Sequence, residues 1–160
     1  MLVVKGITDE DFVNYKLPSM FIASPSCTFK CEKECGVSCC QNSSLAQQPE
    51  YNLDSDAVIK RYLRNPMTKA ICFGGLEPFD RVFDILEFVS HLRIIYGCDD
   101  PVVIYTGYYP EEIEKPLERL RKFKNIIVKF GRYIPGQEPH HDEVLGVMLA
   151  SDNQYAEVIS

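Results

Sequence analysis

The chain has 160 residues, of which 46% are hydrophobic and 25% are charged, and its formal net charge is -6. This length suits one domain with a hydrophobic core and is too short for two domains of ordinary size. The negative charge argues against a nucleic-acid-binding surface, because such surfaces concentrate positive charge. We therefore expect residues 1–160 to form a single domain that binds no nucleic acid.

The distribution of apolar residues favours a soluble, cytoplasmic protein. No apolar run approaches the roughly 18 residues that a membrane span requires. The first segment, MLVVKGITDEDF, carries acidic residues where a secretory signal would continue its apolar core. We expect neither export nor a membrane partner.

The chain contains seven cysteines. An odd number does not suit a set of disulfides, and the reducing cytosol disfavours them, so metal binding or redox chemistry is the leading explanation. Cys72 lies in an apolar run and Cys98 in a predicted turn. We expect these two thiols to lie apart from the site that the other five form.

Strands alternate with helices along most of the chain. The apolar run from Met20 to Ala23 predicts a strand that leads into a cysteine-rich loop. In NLDSDAVIKRYLRNP, a capping residue precedes apolar positions at helical spacing, and Pro66 follows them, so a first helix is predicted there. The later predicted elements are, in order, a strand in TKAICFGG, a helix in FDRVFDILEFVSHLRIIYG, a strand in PVVIYTG, a helix in PEEIEKPLERLRKF, a strand in NIIVKFG and two short closing strands in EVLGVMLASDNQYAEVI.

This alternation predicts an α/β fold with parallel strands and right-handed crossovers. A complete eight-stranded barrel of this kind needs about 250 residues, so we expect a partial, open barrel followed by a short C-terminal strand pair. Chemistry in such sheets collects at the carboxyl ends of the strands. The cysteine loop and the loops FGGLEPF, YTGYYP and FGRYIPGQ should therefore meet at one edge.

Five of the seven cysteines fall within the segment PSCTFKCEKECGVSCCQNSS. Thiolates supplied from one short loop hold iron–sulfur clusters or structural zinc ions. Cys27 and Cys31 begin such a set, and Cys35, Cys39 and Cys40 are the candidates that complete it. Paired C-x2-C motifs, which are typical of four-cysteine zinc sites, are absent, so an iron–sulfur cluster is the better interpretation.

Four motifs together carry a resemblance to a known family. CTFKCEKECGVSCCQN, FGGLEP, VVIYTGY and LASDNQ occur in an order and spacing that resemble the radical S-adenosylmethionine (SAM) enzymes. Within that family the chain is most similar to the small activating proteins of the anaerobic ribonucleoside-triphosphate reductase. The resemblance extends from Asn14 to the last residue and implies a radical SAM-type partial barrel.

The resemblance implies that three cysteines hold a [4Fe-4S] cluster and leave one iron open to SAM. It assigns Cys27 and Cys31 to the first two positions of the family's C-x3-C-x2-C loop and Cys40, which precedes Gln41-Asn42, to the third. In this chain eight residues separate Cys31 from Cys40, where the family has two. Cys35 or Cys39 therefore remains an alternative third ligand.

The resemblance also assigns residues to the SAM site. Gly74 and Gly75 would allow the ligand to approach the backbone closely, and the Glu77 carboxylate would bind the SAM ammonium group. The family motif is Gly-Gly-Glu-Pro, so Leu76 is an insertion in this chain. Thr106 and Gly107 would border the methionyl or ribose part of SAM.

The activity that the resemblance implies is that of a radical SAM activase. One electron from a reduced flavodoxin or ferredoxin cleaves SAM, and the 5′-deoxyadenosyl radical then removes hydrogen from a glycine of the large subunit of an anaerobic ribonucleotide reductase. Two alternatives stay open. One is a radical SAM enzyme that acts on a small molecule or a peptide, and the other is a non-catalytic zinc-binding interaction module.

Overall fold

The computed structural model describes residues 1–25 and 43–160. The strands in these ranges are β1 (Leu2–Val4), β2 (Gly6–Asp11), β3 (Ser19–Ser24), β4 (Tyr51–Leu53), β5 (Ala70–Gly75), β6 (Val102–Tyr105), β7 (Ile126–Phe130), β8 (His140–Asp142), β9 (Val147–Leu149) and β10 (Tyr155–Val158). The helices are α1 (Ser43–Ala46), α2 (Ser55–Arg64), α3 (Val82–Ser90) and α4 (Glu114–Leu120). Two 3-10 turns, Pro78–Arg81 and Pro110–Glu112, precede α3 and α4, and a π-helical turn, His91–Ile95, follows α3.

A six-stranded sheet organises the fold, in the order β10-β7-β6-β5-β3-β2. Its four central strands, β3, β5, β6 and β7, are mutually parallel, and β2 and β10 pair antiparallel at the two edges. Parallel neighbours need crossover connections, and α2, α3 and α4 lie in the three connections between the central strands. The carboxyl ends of all four central strands consequently lie at the same edge of the sheet.

The four parallel strands lie where the sequence predicts strands, and α2, α3 and α4 lie within the three predicted helical segments. The Asp54 side chain accepts a hydrogen bond from the backbone N–H of Ala57 and so caps α2, and Asn65 ends that helix immediately before Pro66. The closure of the sheet as a radical SAM-type partial barrel stays a prediction.

The prediction of a C-terminal strand pair is wrong, because the two closing strands pair with other strands and not with each other. The two closing strands, β9 and β10, do form, but β9 pairs with β8 and β10 pairs with β7. A hairpin turn at Gly146, which adopts φ 72°, joins β8 to β9. The Asp142 carboxylate then accepts a hydrogen bond of 3.0 Å from the N–H of Ala156, and this bond holds β10 in place beside β7. The strands β1, β2, β4 and β8 were not predicted.

Two apolar layers cover the sheet. Side chains alternate between the two faces of each strand, and one face packs against the three crossover helices. There Phe73 of β5 and Phe88 of α3 meet edge to face, with ring centroids 5.3 Å apart. Fully burying a side chain of this size contributes roughly 1.5–3 kcal/mol, so this layer accounts for much of the stability.

The opposite face carries a thinner layer. It comprises Tyr15, Cys72, Val103, Ile127, Leu145 and Leu149, with Leu17, Phe21 and Tyr105 packed against them. The segment before β3 and the β8–β9 hairpin supply its outer part, and the N–H of Lys16 donates to the carbonyl of Leu145 to join them. No helix within residues 1–25 and 43–160 combines the length and apolar character that a bilayer crossing needs.

Candidate functional site

A cleft of about 440 Å³ opens at the carboxyl edge of the central sheet. Its lining includes Gly74–Glu77 at the end of β5, Tyr105–Gly107 at the end of β6, Lys129 and Gly131 at the end of β7, and Val147–Ala150. The loops FGGLEPF, YTGYYP and FGRYIPGQ thus meet at one edge, as the rule for parallel sheets predicts. The cleft brings together the predicted residues Gly74, Gly75, Glu77, Thr106 and Gly107.

Glu77 connects two of these loops. Its side chain is 6% exposed. Oε1 accepts hydrogen bonds from the N–H of Phe79 at 3.0 Å and from the Thr106 hydroxyl at 2.7 Å, and Oε2 accepts one from the N–H of Gly107 at 2.8 Å. An ionised carboxylate offers about four acceptor sites. Three are filled by donors among the described residues, which leaves one acceptor site on Oε2 of a residue that lines the cleft.

The environment of Glu77 opposes its ionisation. Burial raises the pKa of this carboxyl group, and the hydrogen bonds from Gly107, Thr106 and Phe79 offset part of that increase. A cation that approached Oε2 would favour the ionised form. The carboxylate is therefore suited to binding an ammonium group.

The glycines at the end of β5 lie in tightly packed surroundings, and Gly75 adopts φ 81°. A Cβ on Gly74 would lie 2.8 Å from the ring of Phe21, and a Cβ on Gly75 would lie 2.8 Å from Cδ2 of Leu45. Real side chains do not approach so closely, so neither position tolerates a larger residue without a shift. Both glycines line the wall of the cleft.

Cys27, Cys31 and Cys40 lie outside the described residues, as do Cys35 and Cys39. The described chain on either side of them does have a defined position. Ser24, at the end of β3, pairs with Gly75, and Leu45, which follows the cysteine segment, packs against Gly75 as well. Described residues that precede and follow the cysteine segment thus lie beside the same wall of the cleft.

Lys129 is a cleft residue that the sequence interpretation missed. It lies on β7, is 6% exposed, and its Nζ donates a hydrogen bond of 3.0 Å to the carbonyl of Gly131. Nζ also lies 5.7 Å from the centre of the Tyr105 ring. The signal in the sequence was a lysine inside the otherwise apolar run IIVKF. Burying a charged group without partners is costly, so a lysine in a buried strand points to a polar site.

Tyr105 holds the cleft wall to the segment before β3. Its hydroxyl donates a hydrogen bond of 2.6 Å to the carbonyl of Asn14. Burial raises the pKa of this hydroxyl, so it remains a neutral donor at physiological pH. The contact fixes the position of Asn14 and Val13 at the mouth of the cleft.

Asn153 fixes the end of β7 on the far side of the cleft. Its Nδ2 donates to the hydroxyl of Tyr109 at 2.7 Å and to the carbonyl of Arg132 at 2.6 Å. Gly131, next to Arg132, adopts φ 104°, and a Cβ there would lie 3.0 Å from the carbonyl oxygen of Asn153. The motif LASDNQ therefore has a structural role in shaping this wall.

Metal-ligating side chains outside the cysteine segment do not assemble into a site. In the described ranges, no group of three or more His, Cys, Asp or Glu side chains is arranged to hold a metal ion. Cys72 is completely buried in the thinner apolar layer, where burial raises the pKa of its thiol well above the usual value. It acts as an apolar core residue, as its sequence environment predicts.

Comparison with known proteins supports the iron–sulfur interpretation. The family model described as a 4Fe-4S single cluster domain matches residues 19–154, a range that includes the cysteine segment and the loops FGGLEPF, YTGYYP and FGRYIPGQ. No curated protein and no solved structure matches the chain. The prediction of a [4Fe-4S] cluster is thus supported at the level of the family. The chain belongs to the family of 4Fe-4S single cluster domains.

Proposed function

We propose that this protein is a radical SAM activase that generates a glycyl radical on a partner anaerobic ribonucleotide reductase. The observation that carries the proposal is the position of Glu77. Within the described residues its Oε2 retains an acceptor site, and Glu77 lines a cleft whose wall at Gly75 touches residues on both sides of the cysteine segment. A cluster bound by that segment and a ligand bound by Glu77 would therefore be neighbours.

The cleft suits SAM in size and in the groups that it offers. A volume of about 440 Å³ lies within the range of roughly 300–1,000 Å³ that is typical of small-molecule sites. Cys27, Cys31 and Cys40 would hold the cluster and leave one iron open, and Oε2 of Glu77 would accept a hydrogen bond from the SAM ammonium. Gly107 lines the same wall and carries no side chain that would obstruct the ligand.

When bound, the cluster and SAM supply a one-electron cleavage that yields methionine and 5′-deoxyadenosine, the latter formed with a hydrogen atom taken from the substrate. The residues of the chain orient the ligand and exclude water. Glu77 is fixed by three donors, and the Thr106 hydroxyl that donates to it also accepts a hydrogen bond of 3.0 Å from the N–H of Tyr108. This network keeps the carboxylate in place before the ligand arrives, so little reorganisation is needed on binding.

The substrate in this proposal is a glycine of the separate large reductase subunit, and the electron comes from reduced flavodoxin or ferredoxin. The partial barrel of the radical SAM type is the fold that we propose for the complete chain. Its parallel strands and one-sided helical layer are the features of the described residues that support it.

The test combines the anaerobically reconstituted protein with SAM, dithionite and the large subunit of an anaerobic ribonucleotide reductase from the same source. The proposal predicts a glycyl-radical signal in the electron paramagnetic resonance spectrum of the reductase, together with 5′-deoxyadenosine. Formation of 5′-deoxyadenosine without that radical would indicate a radical SAM enzyme that acts on another substrate. Absence of both products, in protein that holds zinc instead of iron, would favour the interaction module.

A further inference from the structure

The strand β9 borders the cleft with its edge. Val147, Met148, Leu149 and Ala150 are consecutive, and all four line the cleft. Side chains alternate between the faces of a strand, and here Met148 is 61% exposed whereas Leu149 is 5% exposed. A cavity that contacts residues on both faces of a strand runs along the edge of that strand.

This edge of β9 is open within the described part of the chain. β9 pairs with β8 on its other side, in the register His141 opposite Met148. In an antiparallel ladder, successive residues direct their N–H and C=O groups alternately towards and away from the partner strand. Among residues 1–25 and 43–160, no backbone group of β9 bonds to a strand other than β8 or to a loop. The backbone groups that point away from β8 therefore have no backbone partner among these described residues, and they belong to a strand whose three residues all line the cleft.

We propose that the open edge of β9 binds an extended polypeptide segment, which adds to the β8–β9 hairpin as a third strand. An extended peptide matches this edge because it presents main-chain donors and acceptors at the repeat of a strand, which a small molecule does not. This inference rests on the proposed function and specifies how its polypeptide substrate is held.

The surroundings of the edge suit such a segment. Val13 and Met148, which are 73% and 61% exposed, lie at the mouth of the cleft and provide apolar contacts for alternate side chains of the added strand. The strand would run past Lys129 and Gly131 on the wall formed by β7. A glycine in the added strand has no side chain, so its Cα would approach the interior of the cleft without a clash.

The first experiment measures amide hydrogen exchange in the reconstituted protein, with and without a synthetic peptide centred on the radical glycine of the reductase. The amides of β9 that point away from β8 should exchange at least about fivefold more slowly with the peptide, the effect expected of one net hydrogen bond. The edge strand β10 is the matched control, because it pairs with β7 alone among the described strands and does not line the cleft. Its amides should be unaffected.

The second experiment replaces single peptide N–H groups by N-methyl groups, one position at a time. Because β9 has three residues, strand addition predicts that methylation weakens binding about fivefold or more only at the peptide residues that bond to its outward-pointing groups, and that methylation of their immediate neighbours has little effect. A peptide that does not bind, or that binds without this pattern and without protection of β9, would overturn the inference.

The activase function and strand addition at β9 can be disproved independently of each other. If the intact reductase acquires the glycyl radical while the β9 amides stay unprotected in its presence, the activase function stands and strand addition is wrong. If no radical forms but the peptide still protects β9, the edge binds polypeptide and the activase function is wrong.

Discussion

Oε2 of Glu77 accepts a hydrogen bond of 2.8 Å from the backbone N–H of Gly107, and this bond joins the loops that follow β5 and β6. A second bond, from the Thr106 hydroxyl to Oε1, joins the same two loops at 2.7 Å. The carboxylate thus has two roles, since it fixes the shape of the cleft and presents its remaining acceptor site to a ligand. These roles can be separated by substitution.

The variant Glu77→Gln should lose both stability and affinity for SAM. Its amide group would place an NH2 opposite the N–H of Gly107 or the donors on Oε1, and an unsatisfied buried donor costs about 1–3 kcal/mol. SAM binding should weaken by about tenfold or more, because a charge-assisted hydrogen bond contributes roughly 1.5–3 kcal/mol. Chemical denaturation and isothermal titration with SAM measure the two effects.

Asp80→Asn is the matched control for that variant. Oδ1 of Asp80 accepts a hydrogen bond of 2.7 Å from the hydroxyl of Tyr108, so this pair also joins the loops after β5 and β6, but at an exposed position. The control should retain the affinity of the parent protein for SAM. An equal loss of SAM affinity in both variants would show that Glu77 acts only by holding the loops together.

The contribution of Glu77 to the stability of the protein should fall as pH rises above the ordinary pKa of a carboxyl group. Because burial raises the pKa of Glu77 in the folded protein, the folded state keeps a proton that the unfolded chain has already released. The contribution of this group to the free energy of unfolding is complete below the unfolded pKa and is lost as pH rises through the folded pKa. Urea denaturation should show this loss as a difference, because the free energy of unfolding of the parent protein should decline relative to that of Glu77→Gln as pH rises. An identical pH dependence of that free energy in both proteins would contradict the assignment.

Gly131→Ala should destabilise the protein more than Gly136→Ala. Both glycines have positive φ, 104° and 82°, so each substitution carries a backbone cost of about 1–2 kcal/mol. A Cβ at Gly131 would also lie 3.0 Å from the carbonyl oxygen of Asn153, whereas nothing lies within 4 Å of a Cβ at Gly136. Crowding of this kind typically adds about 1–3 kcal/mol, which the difference in free energy of unfolding between the two variants would measure. Equal losses of stability in the two variants would mean that Asn153 shifts to accommodate the added Cβ at no cost in free energy.

The central strands were predictable because buried parallel strands are nearly continuous apolar runs. Ile71 to Phe73 and Val102 to Ile104 are such runs, and each precedes a glycine-containing loop at the predicted edge. The strand β2 was not predictable in this way. Its sequence, GITDED, is polar because it lies at the edge of the sheet, where one antiparallel partner, β3, holds it.

The partners of site residues were harder to predict than the residues themselves. Glu77 was assigned from a resemblance, but its bonds to Thr106 and Gly107 join positions 29 and 30 residues apart, and only the pairing of β5 with β6 brings them together. The closing strands show the same limit. Their apolar patterns indicated strands at β9 and β10, but those patterns did not indicate that β9 pairs with β8 and β10 with β7.

Cysteine substitutions should identify the ligands of the cluster. Cys27→Ala, Cys31→Ala and Cys40→Ala should each lose most of the bound iron, because two thiolates do not hold a [4Fe-4S] cluster firmly. Cys35→Ala and Cys39→Ala should retain the iron content and the cluster absorbance of the parent protein, and they serve as matched controls from the same segment. Loss of iron in Cys35→Ala or Cys39→Ala, with retention in Cys40→Ala, would reassign the third ligand.

Reductive cleavage of SAM is the most direct test of the central claim, which is that three cysteines hold a cluster with one open iron beside the cleft of Glu77. Protein reconstituted without oxygen should contain about four iron atoms per chain and, with dithionite and SAM, should release 5′-deoxyadenosine and methionine. A protein that carries a complete cluster yet neither binds nor cleaves SAM would contradict the account.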